Sequence, residues 1–398
     1  MSWRAILFVS SAASLGFGVP AMAQTPGKPL LDMRARYEFA DQERRPEQAN
    51  ALTLRVRAGY ETGAWRNFRA LGEVEAVAAL AGDFNDTING QTTFPVVADP
   101  DALEVNRLQV AYTGLPDTTI TAGRQRIILD NARFVGNVGF RQNEQTFDAV
   151  RVETDAAGPL HIDYAYVTRV QRIFGPDSVQ DDFSGDTHLL NISAATPVGK
   201  LTGYGYWLDL QEARQLSSAT VGLRLARTTP TTPGWGADYT VEHARQQEYG
   251  DAVRAYDAQY TQAEITVKHG AASLSVGAEI LTGDGVSAFQ APLGTLHAFQ
   301  GAADQFLVTP ADGLRDLYLR GGYQTGPVGG FRSTRVGFEV HDFTDDTGRK
   351  DFGDEIDVVL RGTLSARWAI DLKAARFGGR PDGPDDLTRI WAAVEFKL

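Results

Sequence analysis

The stretch LTLRVRAGY, Leu52 to Tyr60, alternates without a break. Leu52, Leu54, Val56, Ala58 and Tyr60 lie on one side of an extended chain, with Thr53, Arg55, Arg57 and Gly59 on the other. A period of two marks a β-strand with one apolar face. In an isolated soluble hairpin that face would line a core and the arginines would meet water. Which face meets water here depends on how many such strands there are and how they are joined.

The pattern recurs from Leu31 to the last residue. Leu31 to Phe39 sets Leu31, Met33, Ala35, Tyr37 and Phe39 against Asp32, Arg34, Arg36 and Glu38. Phe68 to Ala78 sets Phe68, Ala70, Val74 and Ala76 against Arg69, Glu73 and Glu75, and Leu160 to Val170 sets its apolar residues against His161, Asp163 and Arg169. With the weaker segments included, the chain predicts about 18 strands of roughly 10 residues, the length of tilted membrane-crossing strands. The connections alternate between short, turn-like ones such as GLPDT, AAGP and TPVGK and long ones such as Ala81 to Glu104, Ile127 to Gln145 and Gly283 to Gly313. Sorting by parity predicts an all-β, up-and-down antiparallel transmembrane barrel, with short periplasmic turns and long extracellular loops.

A closed ring of this many strands encloses more volume than its own side chains can fill, so the apolar faces belong outside, against lipid. Backbone groups facing hydrocarbon then pair only within a closed sheet, which also has no free edge. Tyr37, Phe39, Tyr60, Phe68, Tyr112, Tyr204, Tyr323, Phe338, Trp368 and Phe396 are expected on the lipid face, mostly toward strand ends where aromatic girdles form. The terminal stretch IWAAVEFKL resembles the last strand of bacterial outer-membrane barrels, which assembly machinery recognises.

Composition agrees with this reading. The chain has 398 residues and no cysteine, so no disulfide staples the fold. MSWR, the apolar run from Ala5 to Val19 and Ala21-Met22-Ala23 form a signal-peptide pattern, giving residues 1–23 as a signal peptide and 24–398 as the barrel domain. A net charge of −12 without a basic cluster argues against nucleic acid as a partner. Expected partners are outer-membrane lipid and lipopolysaccharide, in a Gram-negative outer membrane. Lysine occurs only at positions 28, 200, 268, 350, 373 and 397, leaving the basic residues mostly arginine, which stays charged and pairs with carboxylates in a forked geometry.

With the apolar face outside, Arg34, Arg36, Arg55, Arg57, Arg69, Arg107, Arg151 and Arg169 are expected to line the lumen together with Glu73 and Glu75. On the early strands arginines outnumber carboxylates, which predicts one positive wall able to hold a carboxylate-bearing solute. A second inward set includes Glu242, Glu279, Glu339, Glu355 and Asp357. The six histidines form no HExxH or paired metal spacing, and no GxSxG or phosphate-binding loop occurs, so neither enzyme chemistry nor a cofactor is expected. The alternatives are a non-conducting structural or adhesive barrel and an outer-membrane lipid or ester hydrolase whose Ser and His come from neighbouring strands.

The segment Gly123 to Val150 is more than a simple loop. Gly123-Arg124-Gln125, Arg133-Phe134-Val135-Gly136, Arg141-Gln142-Asn143 and Thr146-Phe147-Asp148-Ala149 resemble the signature region of the alginate export family of outer-membrane porins. The resemblance implies an 18-stranded monomeric barrel whose arginine-rich constriction passes an anionic polysaccharide or its fragments. Length and charge also suggest a constriction loop here, with Arg124, Arg126, Arg133, Arg141 and Asp148 as its candidate residues. The expectation is a passive channel for anionic sugars or uronate-type oligosaccharides.

Overall fold

The computed structural model describes residues 26–230 and 234–398; the predicted signal peptide lies outside them. The described residues form one antiparallel sheet of 18 strands, each bonded to its sequence neighbour, and the last strand returns to the first. Closure joins β1 (Lys28–Gln42) to β18 (Leu387–Lys397), with Asp32 opposite Lys397 and Gln42 opposite Leu387. The barrel therefore has no free edge.

Strands run from 8 residues in β5 (Thr118–Gln125) to 16 in β3 (Phe68–Asp83). Many extend past the expected bounds, because a strand above the membrane keeps its ladder hydrogen bonds but no longer needs one apolar face. Thus only residues 345–350 remain as the connection between β15 (Ser333–Thr344) and β16 (Asp351–Thr363).

The orientation follows the opening stretch. On β2 (Ala49–Glu61), Leu52 and Tyr60 are exposed on the outer face while Arg55 and Arg57 are buried inside. Leu103, Leu108, Val221, Leu223, Val276, Ile356 and Val358 continue the outer apolar band. Among the described residues no helix is long and apolar enough to cross a membrane.

Bulges reverse the phase at several expected lumen positions. A register shift between Val167 and Arg169 in β7 (Leu160–Gln171) puts Val170 inside and leaves Arg169 exposed, paired with Asp182. Arg124 stands opposite Leu108, an outward residue of β4 (Ala102–Leu115), and opposite Asp148 of β6 (Thr146–Ala157). Arg124 and Asp148 therefore form an ion pair on the outer face, at 2.8 Å, and do not belong to a constriction. Tyr204 is corrected in the opposite sense. It is buried in the lumen with its hydroxyl 2.8 Å from Glu242, because the Gly-Tyr alternation of β9 (Gly199–Leu208) places the rings inside and the glycines outside.

The interior is not simply wet. Three loops, residues 84–101, 126–145 and 282–313, fold into the lumen and build an apolar core there. Phe134 sits at its centre, its ring 5.0 Å from that of Tyr260 and 5.6 Å from those of Tyr204 and Phe289. Aromatic contacts of this kind fill volume that the strands alone leave open.

Candidate functional site

The loop 126–145 leaves β5 on the luminal side and is held by charge at each end of its path. Arg126 and Arg57 both pair with the buried Glu144, Arg57 at 3.2 Å. Glu75 takes a second arm of Arg57 and accepts the Glu144 amide at 3.1 Å. Farther along, Arg133 crosses to β13 (Ala272–Leu281), where its Nε lies 2.8 Å from Glu279. Arg141 reaches Glu38 on β1 at 3.3 Å and Asp304 of the loop 282–313 at 2.7 Å. Of the expected constriction residues, Arg126, Arg133 and Arg141 are thus brought together inside the barrel; Arg124 and Asp148 are not.

The early-strand arginines also face inward, but paired. Arg34 donates to Gln142 Oε1 at 2.9 Å and lies 3.7 Å from Glu395. Arg36 pairs with Asp99 and Glu38, and Arg55 with Asp32 at 2.5 Å. Arg107 grips Glu73 with two bonds of 2.8 Å, and Arg151 holds Asp163. Arg69 is exposed at the turn end beside Lys28 and Glu61. The expected positive wall is accordingly compensated: carboxylates from the same strands and from inserted loops neutralise it. A forked guanidinium in a confined, poorly hydrated space gains most from a carboxylate held at fixed distance.

Between loops 126–145 and 282–313 lies a vestibule of about 320 Å³. Its wall includes Ile173, Phe174, Leu216, Leu296 and Leu307, and Arg141, His297, Asp304 and Arg172 add polar groups. Arg172, just beyond β7, was not singled out from the sequence. It lies over the rings of Phe174 and Phe183, 4.6 and 4.1 Å from their centroids, donates to Gln180 Oε1 at 3.4 Å, and among the described residues has no carboxylate within ion-pair distance. Burial lowers its pKa to about 10, so it stays cationic at neutral pH.

His297 is the latch of the upper loop. Its ring stacks on Phe140 at 3.4 Å, its Nδ1–H donates to Asp304 at 2.7 Å, and its Nε2 accepts from Lys373 Nζ at 3.0 Å. An imidazole that accepts from an ammonium must be neutral. Burial, opposed by Asp304 and reinforced by Lys373, pulls its pKa down to about 3. The unfolded group titrates near 6.5, so its contribution is intact above that pH and is lost progressively as pH falls toward the folded value. Acidification from pH 7 to pH 5 should weaken the latch by about 2 kcal/mol. The expected result is faster protease cleavage within residues 282–313 at pH 5, a difference that His297→Asn removes.

No protein-family model matches the chain, and no curated protein sequence does. The resemblance to the alginate export family is therefore without support. Similarity is found among solved structures. Acinetobacter baumannii OccAB4 superposes with a TM-score of 0.72 at 14% identity, covering 94% of this chain and 99% of that one. Pseudomonas aeruginosa OpdL gives 0.68 at 17%, covering 94% and 98%, and Pseudomonas aeruginosa OccK8 (OprE) gives 0.66 at 16%, also covering 94% and 98%. Such identities establish the shared fold. The chain is a closed 18-strand antiparallel β-barrel with the fold of these structures.

Proposed function

We propose that the protein is a passive outer-membrane channel for small carboxylate-bearing solutes, with anionic sugars and uronate-type oligosaccharides as the class to test first. The observation that carries this reading is Arg172, a cation without a carboxylate partner in the wall of the vestibule. An arriving carboxylate can take the Arg172 donors by displacing at most one long bond, from Nη1 to Gln180 Oε1 at 3.4 Å, whereas at Arg34, Arg36, Arg55 and Arg57 it must compete with a resident partner held more closely. Apolar groups beside Arg172 favour a solute whose body tolerates desolvation.

The reading is tested by current through single barrels in planar bilayers. Galacturonate oligomers added from the loop side should interrupt the current of the wild type, and Arg172→Gln should weaken that block about tenfold, the loss of one charge-assisted hydrogen bond. Equal block in the variant rejects the assignment. A second reading, a closed structural barrel, is favoured by the apolar core that the three loops form inside the lumen. It requires that the wild type carry no current at all.

A further inference from the structure

Facing each other across β15 and β16, on the luminal side, are the pairs Glu339–Asp357 and His341–Glu355. One ligand atom from each of Glu339, His341 and Asp357 lies within 4.8 Å of the others, a separation that a single cation can bridge. The imidazole is already prepared. His341 Nδ1 lies 2.9 and 3.1 Å from the two oxygens of Asp316, on β14 (Leu314–Thr325), so Nδ1 carries a proton and Nε2 is turned toward the carboxylates, 3.5 Å from Glu339 Oε2. A carboxylate behind the imidazole is the usual arrangement for a metal-binding histidine.

Three buried polar atoms converge here without a hydrogen-bond partner: His341 Nε2, Asp357 Oδ1 and Glu355 Oε2. His341 and Glu355 are 1% and 0% exposed. The other oxygen of each carboxylate is satisfied from above by the loop 282–313, whose Ala302 amide donates to Asp357 Oδ2 at 3.0 Å and whose Ala303 amide donates to Glu355 Oε1 at 2.7 Å. Gly301 makes this approach possible: it has φ +80°, and a Cβ there would lie 2.5 Å from the Glu355 carboxyl group. A cavity of about 60 Å³ borders Glu339 and Asp357 and has room for an ion with a coordinated water.

Nearby cations do not meet the need. Arg320 divides itself between Glu339, at 2.7 Å, and Glu264, at 3.2 Å, while Lys373 donates to His297. Leaving buried carboxylate oxygens and His341 Nε2 together without hydrogen-bond partners is unfavourable, and a cation bound among them, displacing any proton on Nε2, removes the conflict. One neutral imidazole nitrogen with carboxylate oxygens suits a borderline divalent ion of the first transition row.

We propose that Glu339, His341 and Asp357 bind a divalent transition-metal ion of the Zn²⁺ type, with Glu355 at the edge of the site and Asp316 orienting the imidazole. The ion ties β15 to β16 beneath the loop 282–313. This inference is independent of which solute the channel passes.

The test uses the whole barrel in detergent, stripped with EDTA and titrated with ZnCl₂ by calorimetry. The expected result is one saturable site per barrel, weakened at least about 100-fold by His341→Gln and by Asp357→Asn, and about 10- to 100-fold by Asp316→Asn. Asp382→Asn, at an exposed carboxylate outside the site, should leave it unchanged. X-ray absorption of the wild-type zinc complex, which needs no variant to fold, should show a single imidazole among oxygen ligands. Absence of saturable binding, undiminished affinity in His341→Gln, or an oxygen-only shell overturns the proposal.

Discussion

Arg133→Ala is expected to free the loop 126–145 from the far wall and to raise the conductance of the barrel several-fold. Arg133 is 1% exposed and is the only side chain of that loop paired with β13 among the described residues. It holds Glu279 through Nε at 2.8 Å, and the same carboxylate also accepts from the Tyr260 hydroxyl at 2.5 Å and from Gln300. Its guanidinium lies 4.9 Å from the ring of Phe299 and 5.4 Å from that of Tyr260. Truncation leaves Glu279 a buried charge without a counter-ion, at a cost of about 3–5 kcal/mol. The loop, rather than the barrel, should yield, because the strands keep their ladders. Protease accessibility within residues 126–145 and single-channel current report the release together. Arg133→Met combined with Glu279→Leu should restore a closed loop, since removing both charges removes the desolvation conflict. Unchanged conductance and protection in Arg133→Ala would mean that Phe134 and its aromatic neighbours suffice to seat the loop.

The second large effect concerns the outer surface. Val276 lies midway along β13 and is exposed, while its neighbour Ser275 faces inward and bonds to Thr266 at 2.7 Å. Val276→Arg should destabilise the membrane-inserted barrel by about 2–4 kcal/mol, the depth-dependent penalty of an arginine near the bilayer midplane. Ser275→Arg, one residue away, should change stability far less, because it meets the lumen. Urea unfolding in liposomes separates the two. Comparable losses from both substitutions would sink the assignment of faces from which all the luminal roles above are argued.

Most of the architecture was legible in the sequence because period-two alternation and the parity of loop length both carry through the chain. LTLRVRAGY reads correctly since each of its contrasts is strong. The reading failed where contrast or period failed. Tyr204 sits among glycines, so nothing in the local pattern shows which side is lipid. Arg169 and Val170 follow a bulge, and an inserted residue reverses every later position without a compositional mark. The constriction was half legible: a long arginine-rich loop suggested Arg126, Arg133 and Arg141, while Arg124 and Asp148 were misplaced because the register of β5 could not be counted through Gly123. The partners of the arginines were largely beyond reach, since Asp99, Glu144 and Asp304 come from other loops. His341 showed no metal spacing along the chain, because Asp357 and Asp316 come from adjacent strands.

The seam between β1 and β18 has a consequence for biogenesis. Arg34 and Glu395, and Glu38 and Arg389, meet across it although nearly the whole chain separates them. β1 therefore keeps one flank unmatched until β18 is in place, and the ring cannot close before both strands have formed. Until then the open flank is an edge strand able to pair with the wrong neighbour.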